Sequence, residues 1–93
     1  MSGEVGDDGV LVRAEGLLTA ALDQELLMMS VEQGRYYNLN AVGARIWELL
    51  ETPTSADALV AALTAEYEVD PDTARAHVER FLGELRRRGL LAS

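Results

Sequence analysis

The residues that could perform acid–base or nucleophilic chemistry are few in this chain. It contains one histidine, His77, and no cysteine, so a thiolate nucleophile and a cysteine-ligated metal site are excluded. Catalysis by His77 would need a partner for a triad or a metal site, and the sequence offers no obvious one. A lone histidine beside an apolar helical stripe is typical of a packing or surface residue.

The carboxylates are numerous but scattered, mostly at the starts of predicted helices and on exposed faces. Asp57, Asp70 and Asp72 stand where a helix begins, and acidic side chains there cap or stabilise the first turn. The chain has no glycine-rich loop of the kind that binds phosphates. The sequence therefore predicts a protein that is not an enzyme and uses no metal or cofactor.

The charge of the chain argues against nucleic acid as a partner. The 93 residues carry a net charge of −8, and all eight basic residues are arginines. An acidic domain repels phosphate backbones. Arg86, Arg87 and Arg88 end the last predicted helix, where cations stabilise the helix dipole; contact with an acidic group of a ligand is the alternative.

The length allows one domain at most. Residues 1–9 are acidic and glycine-rich, the opposite of a signal peptide, and predict a disordered tail before a domain that spans residues 10–91. No apolar run approaches the roughly 18 to 20 residues of a membrane span. The lack of cysteine fits a reducing compartment, so the sequence predicts a cytoplasmic protein.

A small sheet is predicted ahead of the helices. Residues 10–14 form a candidate first strand, whereas residues 15–24 are compatible with a loop or a short strand. Residues 25–31 form a second strand that is apolar on both faces, which favours a central strand covered on both sides. Gly34 ends a predicted hairpin turn, and Arg35–Leu39, with two tyrosines, returns as the third strand.

The third predicted strand, Arg35–Leu39, is expected at an edge of the sheet. If the strands pair in chain order, its outer N–H and C=O groups have no strand partner. The strand has no proline, lysine or inward charge to block pairing, only Arg35 at its start. An extended peptide could add there as a further strand; cover by the last helix or by the N-terminal tail is the alternative.

Two helices are predicted after the strands. Asn40 is the expected N-cap of a helix over residues 41–51, and Thr54 is the expected N-cap of a second helix that reaches about Tyr67. Their apolar stripes predict an inward face for both helices, with Trp47 at its border. The residues predicted to face inward are Val42, Ile46, Leu49, Leu50, Leu59, Val60, Leu63 and Tyr67.

The third predicted helix has the clearest start and stop signals. Asp70 caps it with Pro71 at its first position, and Gly89 ends it with Leu90 folding back onto the last turn. Its apolar stripe consists of Ala74, Val78, Phe81, Leu82 and Leu85. The whole order predicts an α+β domain: a winged helix-turn-helix with a small N-terminal three-stranded antiparallel sheet followed by three α-helices.

A motif spread over residues 36–91 carries a family resemblance. It consists of Tyr37-Asn38-Leu39-Asn40, Ile46-Trp47-Glu48-Leu49-Leu50, Leu59, Tyr67, Val69-Asp70-Pro71, Val78, Phe81-Leu82, Leu85 and Gly89-Leu90-Leu91. This pattern resembles the PqqD family, the RiPP recognition elements. These are peptide-binding winged-helix domains of pathways that make natural products from ribosomal precursor peptides.

The resemblance implies a non-catalytic protein that binds the leader segment of a precursor peptide and presents it to processing enzymes. A stand-alone domain of this length is most similar to the leader-binding proteins of lasso-peptide clusters, whose partners are a leader peptidase and a macrolactam synthetase. The alternatives are a PqqD-type peptide chaperone for a radical SAM enzyme and, from another class, a winged-helix transcription regulator.

The family's groove lies between the third strand and the third helix, and its position implies the binding residues here. These are Arg35, Tyr36, Tyr37, Asn38 and Leu39 on the strand, with Arg75, Val78, Leu82 and Arg86 on one flank of the helix. On a helical wheel the last four span the border between the buried stripe and solvent. Many relatives have aspartate where this chain has His77, so a role for that carboxylate is not carried over.

Overall fold

The computed structural model describes residues 10–92, so the tail predicted for residues 1–9 lies outside the described residues. The elements are β1 (Leu17–Leu22), β2 (Glu25–Ser30), β3 (Arg35–Leu39), α1 (Ala41–Leu49), α2 (Ala56–Glu66) and α3 (Pro71–Arg87). The strands form one antiparallel sheet in the order β1-β2-β3. The predicted class, a three-stranded antiparallel sheet followed by three helices, is confirmed.

The predicted first strand, residues 10–14, is wrong. This segment makes two isolated bridges instead of joining the sheet, one between Leu11 and Thr54 and one between Arg13 and Leu91. The backbone N–H of Leu11 donates to the carbonyl of Thr54, and the N–H of Ala14 donates to Leu90. The start of the described chain therefore ties the α1–α2 connection to the C-terminus.

The first strand of the sheet, β1, lies inside residues 15–24, the stretch whose sequence is compatible with either a loop or a short strand. Leu22 pairs with Glu25, so β1 and β2 form a hairpin with only Asp23 and Gln24 between them. Asp23 has a φ of 55°, a left-handed conformation that aspartate tolerates better than most residues. The next hairpin turn ends at Gly34 with a φ of 67°, which confirms that predicted turn.

One face of the sheet and the three helices enclose a single hydrophobic core. Met28 of β2 and Leu39 of β3 are buried in it, and Leu17, Leu26 and Tyr37 pack on the same core. Burial of this apolar surface is the main source of stability for a domain of this size. The helices and the C-terminal segment contribute Ile46, Trp47, Leu50, Leu59, Val60, Leu63, Ala74, Val78, Leu82, Leu85 and Leu90.

Two apolar residues predicted to face inward do not. Val42 of α1 is 37% exposed and Tyr67, which follows α2, is 41% exposed. The N-cap of α2 also differs, because Ser55 accepts the bond from Ala58 N while the backbone of Thr54 is engaged with Leu11. The predicted caps of the other two helices, Asn40 and Asp70, are confirmed.

The last helix ends as its sequence predicts. Gly89 takes a φ of 72°, and the N–H of Leu90 donates to the carbonyl of Leu85 at 2.8 Å. This backbone arrangement folds Leu90 under the last turn, where its side chain is buried. The turn fixes how the C-terminus of α3 stands beside β3.

The face of the sheet that looks away from the helices is apolar and open in the described part of the chain. The register places Leu18 of β1, Met29 of β2 and Tyr36 of β3 in one row across it. Leu18 is 57% exposed and Tyr36 is 68% exposed. The prediction that β2 is covered on both faces is therefore not met by residues 10–92. We call this surface the outer face.

A bidentate ion pair joins α1 to α2. The guanidinium of Arg45 donates from Nε to Glu66 Oε1 at 2.8 Å and from Nη2 to Oε2 at 2.6 Å. These hydrogen bonds lower the pKa of Glu66 below its ordinary value of 4.5. Because the pKa of Glu66 falls on folding, the pair stabilises the fold at pH values above the ordinary pKa of this group. This contribution is lost as the pH falls through the lowered pKa.

We therefore expect Glu66→Gln to lower the melting temperature at neutral pH, because the glutamine carries no charge to pair with Arg45. The difference from the unmodified protein should shrink as pH falls below 4.5, the ordinary pKa of Glu66. Thermal melts over a pH series measure this. Glu68→Gln is the matched control, since Glu68 is exposed and forms no ion pair with the described residues. A difference that is constant with pH would contradict the prediction.

Candidate functional site

The edge of the sheet formed by β3 is open. β3 pairs with β2 on one side and with no other strand of the described residues. Alternate residues of an edge strand direct their N–H and C=O groups away from the sheet, where they need a partner. The predicted edge position of Arg35–Leu39 is confirmed.

A groove runs along this edge between β3 and α3, and we call it the β3–α3 groove. Three adjoining depressions form it, and each shares lining residues with the next. Its strand side is formed by Arg35, Tyr37, Asn38 and Leu39, and its helix side by His77, Arg80, Phe81, Glu84, Leu85, Arg87 and Arg88. The strand edge and the helix wall thus face one continuous channel.

Tyr37 is held at the middle of the groove by two neighbours. Its hydroxyl donates to Gln33 Oε1 at 2.6 Å, and Gln33 Nε2 donates to the carbonyl of Arg88 at 2.8 Å. The guanidinium carbon of Arg88 lies 5.2 Å from the centre of the Tyr37 ring, a cation–π distance. The ring is therefore fixed between the β2–β3 turn and the end of α3, ready to contact a bound group.

Phe81 forms the apolar wall opposite β3. It is half-buried, packs against the core and lines two of the three depressions. Gly43 of α1 lies behind it, and a Cβ at that position would stand 3.0 Å from Phe81 Cε1. The absence of a side chain at Gly43 lets α1 approach the ring. Phe81, predicted as a residue of the buried stripe, is both a support of the core and a groove residue.

The flank of α3 that was predicted to line the groove does not line it; the opposite flank of the helix does. Val78 is 0% exposed and Leu82 is 3% exposed, so neither lies at the border with solvent. Arg75 turns toward α2, where its Nη2 lies 2.6 Å from Asp57 Oδ1. Arg86 is exposed but does not line the groove. The helical wheel predicted the apolar stripe correctly. It could not show which of the two borders of that stripe faces β3, because this depends on the position of the sheet.

The groove residues that sequence reasoning missed lie on the opposite border of the same stripe. Arg80, Glu84 and Arg88 recur every fourth residue, which puts them on one side of α3, and Phe81 lies where this side meets the buried stripe. That spacing was visible in the sequence. What decides between the two borders is the packing of α2 against α3, since Asp57 pairs with Arg75 on one border and the other border is left for β3.

The predicted strand residues divide between two surfaces. Arg35, Tyr37, Asn38 and Leu39 line the groove. Tyr36 points to the outer face, as the alternation along β3 requires, so its backbone belongs to the edge and its side chain does not belong to the groove. Asn38 Nδ2 donates to Glu25 Oε1 at 3.1 Å.

His77 is exposed at the α1 end of the groove. No group of three or more histidine and carboxylate side chains among residues 10–92 is close enough to hold a metal ion. None of the helices of residues 10–92 has both the length and the apolar character that crossing a membrane requires. The open β3 edge and the walls of the β3–α3 groove offer backbone pairing and side-chain contact to a ligand.

Comparisons with known proteins agree with this geometry. The family described as Coenzyme PQQ synthesis protein D (PqqD) matches residues 25–91. A solved structure, "TbiB1 in Complex with the TbiA(beta) Leader Peptide", is similar with a TM-score of 0.82 and 34% identity, over 88% of this chain and 95% of that chain. Among curated proteins no match is found.

A second solved structure, "Lasso peptide synthetase B1 complexed with the leader peptide", has a TM-score of 0.76 and 24% identity, over 89% of this chain and 98% of that chain. At that identity the likeness shows the fold alone. The family match spans most of this chain. The first solved structure is 34% identical to it over 88% of its length. The chain therefore belongs to the PqqD family and is a PqqD-like RiPP recognition element, as its motif predicted.

Proposed function

We propose that this protein binds the leader segment of a ribosomally made precursor peptide and presents it to maturation enzymes of the lasso-peptide type. The observation that carries the proposal is the open edge of β3 beside the β3–α3 groove. The same fold, at 34% identity, is seen in the solved complex of TbiB1 with the TbiA(beta) leader peptide. The enzymes served are a leader peptidase and a macrolactam synthetase.

The leader docks as a fourth strand, antiparallel to β3. The backbone of the leader pairs with the outward N–H and C=O groups of Arg35–Leu39. This pairing depends little on the amino-acid sequence of the leader. Alternate side chains of the leader enter the groove, where the rings of Tyr37 and Phe81 supply apolar contact. Backbone pairing gives affinity, and the pocket between these rings gives selectivity.

The lasso-type role is favoured over the rival roles that the sequence left open. The solved structure that is 34% identical to this chain is a complex with a leader peptide. A DNA-binding role would require a basic surface, whereas the chain carries a net charge of −8. The exposed side of α3 also mixes Asp72 and Glu79 with its arginines.

Binding is tested with the TbiA(beta) leader peptide as probe and a peptide of the same composition in scrambled order as control. Fluorescence anisotropy should show saturable binding of the leader and none of the scrambled peptide. Hydrogen exchange should then slow at the backbone amides of residues 36–38. Equal binding of both peptides would overturn the proposal, and protection on α2 without protection on β3 would overturn the docking geometry.

The protein alone is expected to leave its peptide ligand chemically unchanged. The described residues hold no metal-ligating cluster, and His77 is exposed without an ion-pair or hydrogen-bond partner among residues 10–92. Incubation of purified protein with the TbiA(beta) leader peptide, followed by mass spectrometry, should return the starting mass. A cleaved or modified product that grows with protein concentration would show that the protein is a catalyst.

A further inference from the structure

The arginines of this acidic chain are concentrated in the β3–α3 groove. Among residues 10–92, four of the chain's eight arginines line it, Arg35, Arg80, Arg87 and Arg88, whereas Glu84 is the one carboxylate that does. Four cations against one anion leave the groove lining with a formal charge of +3 in a chain whose net charge is −8. The groove therefore has the opposite sign to the rest of the surface.

The single carboxylate of the lining is already neutralised. Glu84 Oε2 lies 2.8 Å from Arg87 Nη2, and Glu84 Oε1 lies 3.1 Å from Arg88 Nη2. Arg35 and Arg80 form no ion pair with the described residues. The helix dipole does not explain Arg35, which opens a strand, or Arg80, which lies in the middle of α3. At least two groove cations thus have no ion-pair partner within residues 10–92.

The cations are not evenly spread along the groove. Arg35, Arg87 and Arg88 meet in the depression at the start of β3, together with Gln33, Tyr37 and Gly89. We call this the arginine end. Arg80 stands apart, beside His77, where the groove reaches α1. The middle, between Tyr37 and Phe81, is the apolar part.

We propose that the groove selects acidic peptides, with at least one aspartate or glutamate seated at the arginine end. This inference rests on the proposed function and adds the chemical class and orientation of the ligand. A peptide antiparallel to β3 brings its C-terminal part beside Arg35, the first residue of β3. The acidic residue therefore lies on the C-terminal side of the apolar residues that contact Tyr37 and Phe81. Opposite charge also speeds association and rejects basic peptides.

The test uses a displayed library of random peptides, selected on the unmodified protein and on the double variant Arg35→Ala, Arg87→Ala. The matched control is Arg86→Ala, which removes an exposed arginine next to Arg87 that does not line the groove. Peptides selected on the unmodified protein and on Arg86→Ala should be enriched in Asp and Glu in their C-terminal half. The double variant should lose that enrichment while still selecting apolar residues.

A peptide from the first selection should bind the double variant about fivefold more weakly, the effect of about one exposed ion pair. Its binding should weaken with added salt on the unmodified protein and less steeply on the double variant. Acidic residues absent from the selected peptides, concentrated in their N-terminal half, or retained on the double variant would overturn this inference and leave leader binding standing. A library that yields no binder would overturn the proposed function itself.

Discussion

Replacing Trp47 with alanine is expected to lower the free energy of unfolding by about 3–5 kcal/mol. Trp47 is 3% exposed, and its removal leaves a cavity between α1 and the rest of the core. The guanidinium of Arg13 lies 4.5 Å over the indole ring and donates to the Trp47 carbonyl. The variant therefore loses apolar packing and a cation–π contact together.

The loss is a large part of the roughly 5–15 kcal/mol that holds a domain together. Urea and thermal unfolding, followed by far-UV circular dichroism, measure it. Tyr36→Ala is the matched control, because this aromatic side chain is 68% exposed on the outer face and its removal should change the stability far less. If both variants unfold at the same urea concentration, Trp47 does not hold the core in the way described.

Replacing Phe81 with alanine is expected to weaken leader binding at least tenfold, or about 1.4 kcal/mol. Its ring lines two of the three depressions of the β3–α3 groove and forms the apolar wall opposite Tyr37. Because Phe81 is only half-buried, the substitution should destabilise the fold less than Trp47→Ala does. Anisotropy titrations of the TbiA(beta) leader peptide, at a temperature where the variant is folded, measure the loss.

The matched control for Phe81 is Tyr67→Ala, which removes another partly exposed aromatic ring outside the groove. It should leave leader affinity unchanged. Gly43→Ala is a second variant that keeps the phenyl ring but presses on it, since the new Cβ would stand 3.0 Å from Phe81 Cε1. Full affinity in Phe81→Ala would show that the leader does not use this wall.

The helices of this fold were predictable because their signals are local. Asn40, Asp70 and Gly89 mark helix ends through bonds that span three to five residues. The open edge of β3 was predictable for a similar reason, since strands joined by short turns pair in chain order. Each of these features depends on residues that are near one another in the sequence.

Two of the features that the sequence did not predict correctly depend on distant contacts, and a third, β1, has a blurred local signal. β1 was ambiguous because Leu18 and Leu22 are apolar although they lie exposed on the outer face, so the usual alternation is blurred. Residues 10–14 have the composition of a strand, but they are held by Thr54 and Leu91, which are distant in the chain. The border of α3 that meets β3 is likewise set by where α2 packs. No local signal in the sequence carries that information.

The outer face and the open β3 edge also bear on the colloidal behaviour of this protein. Both surfaces favour attachment of one copy to another, through apolar contact and through strand pairing. The net charge of −8 opposes that attachment at neutral pH by making the copies repel. The isoelectric point of the sequence is about 4.4, and near it this repulsion vanishes. Buffers near this pH should therefore turn a dispersed solution into one that precipitates.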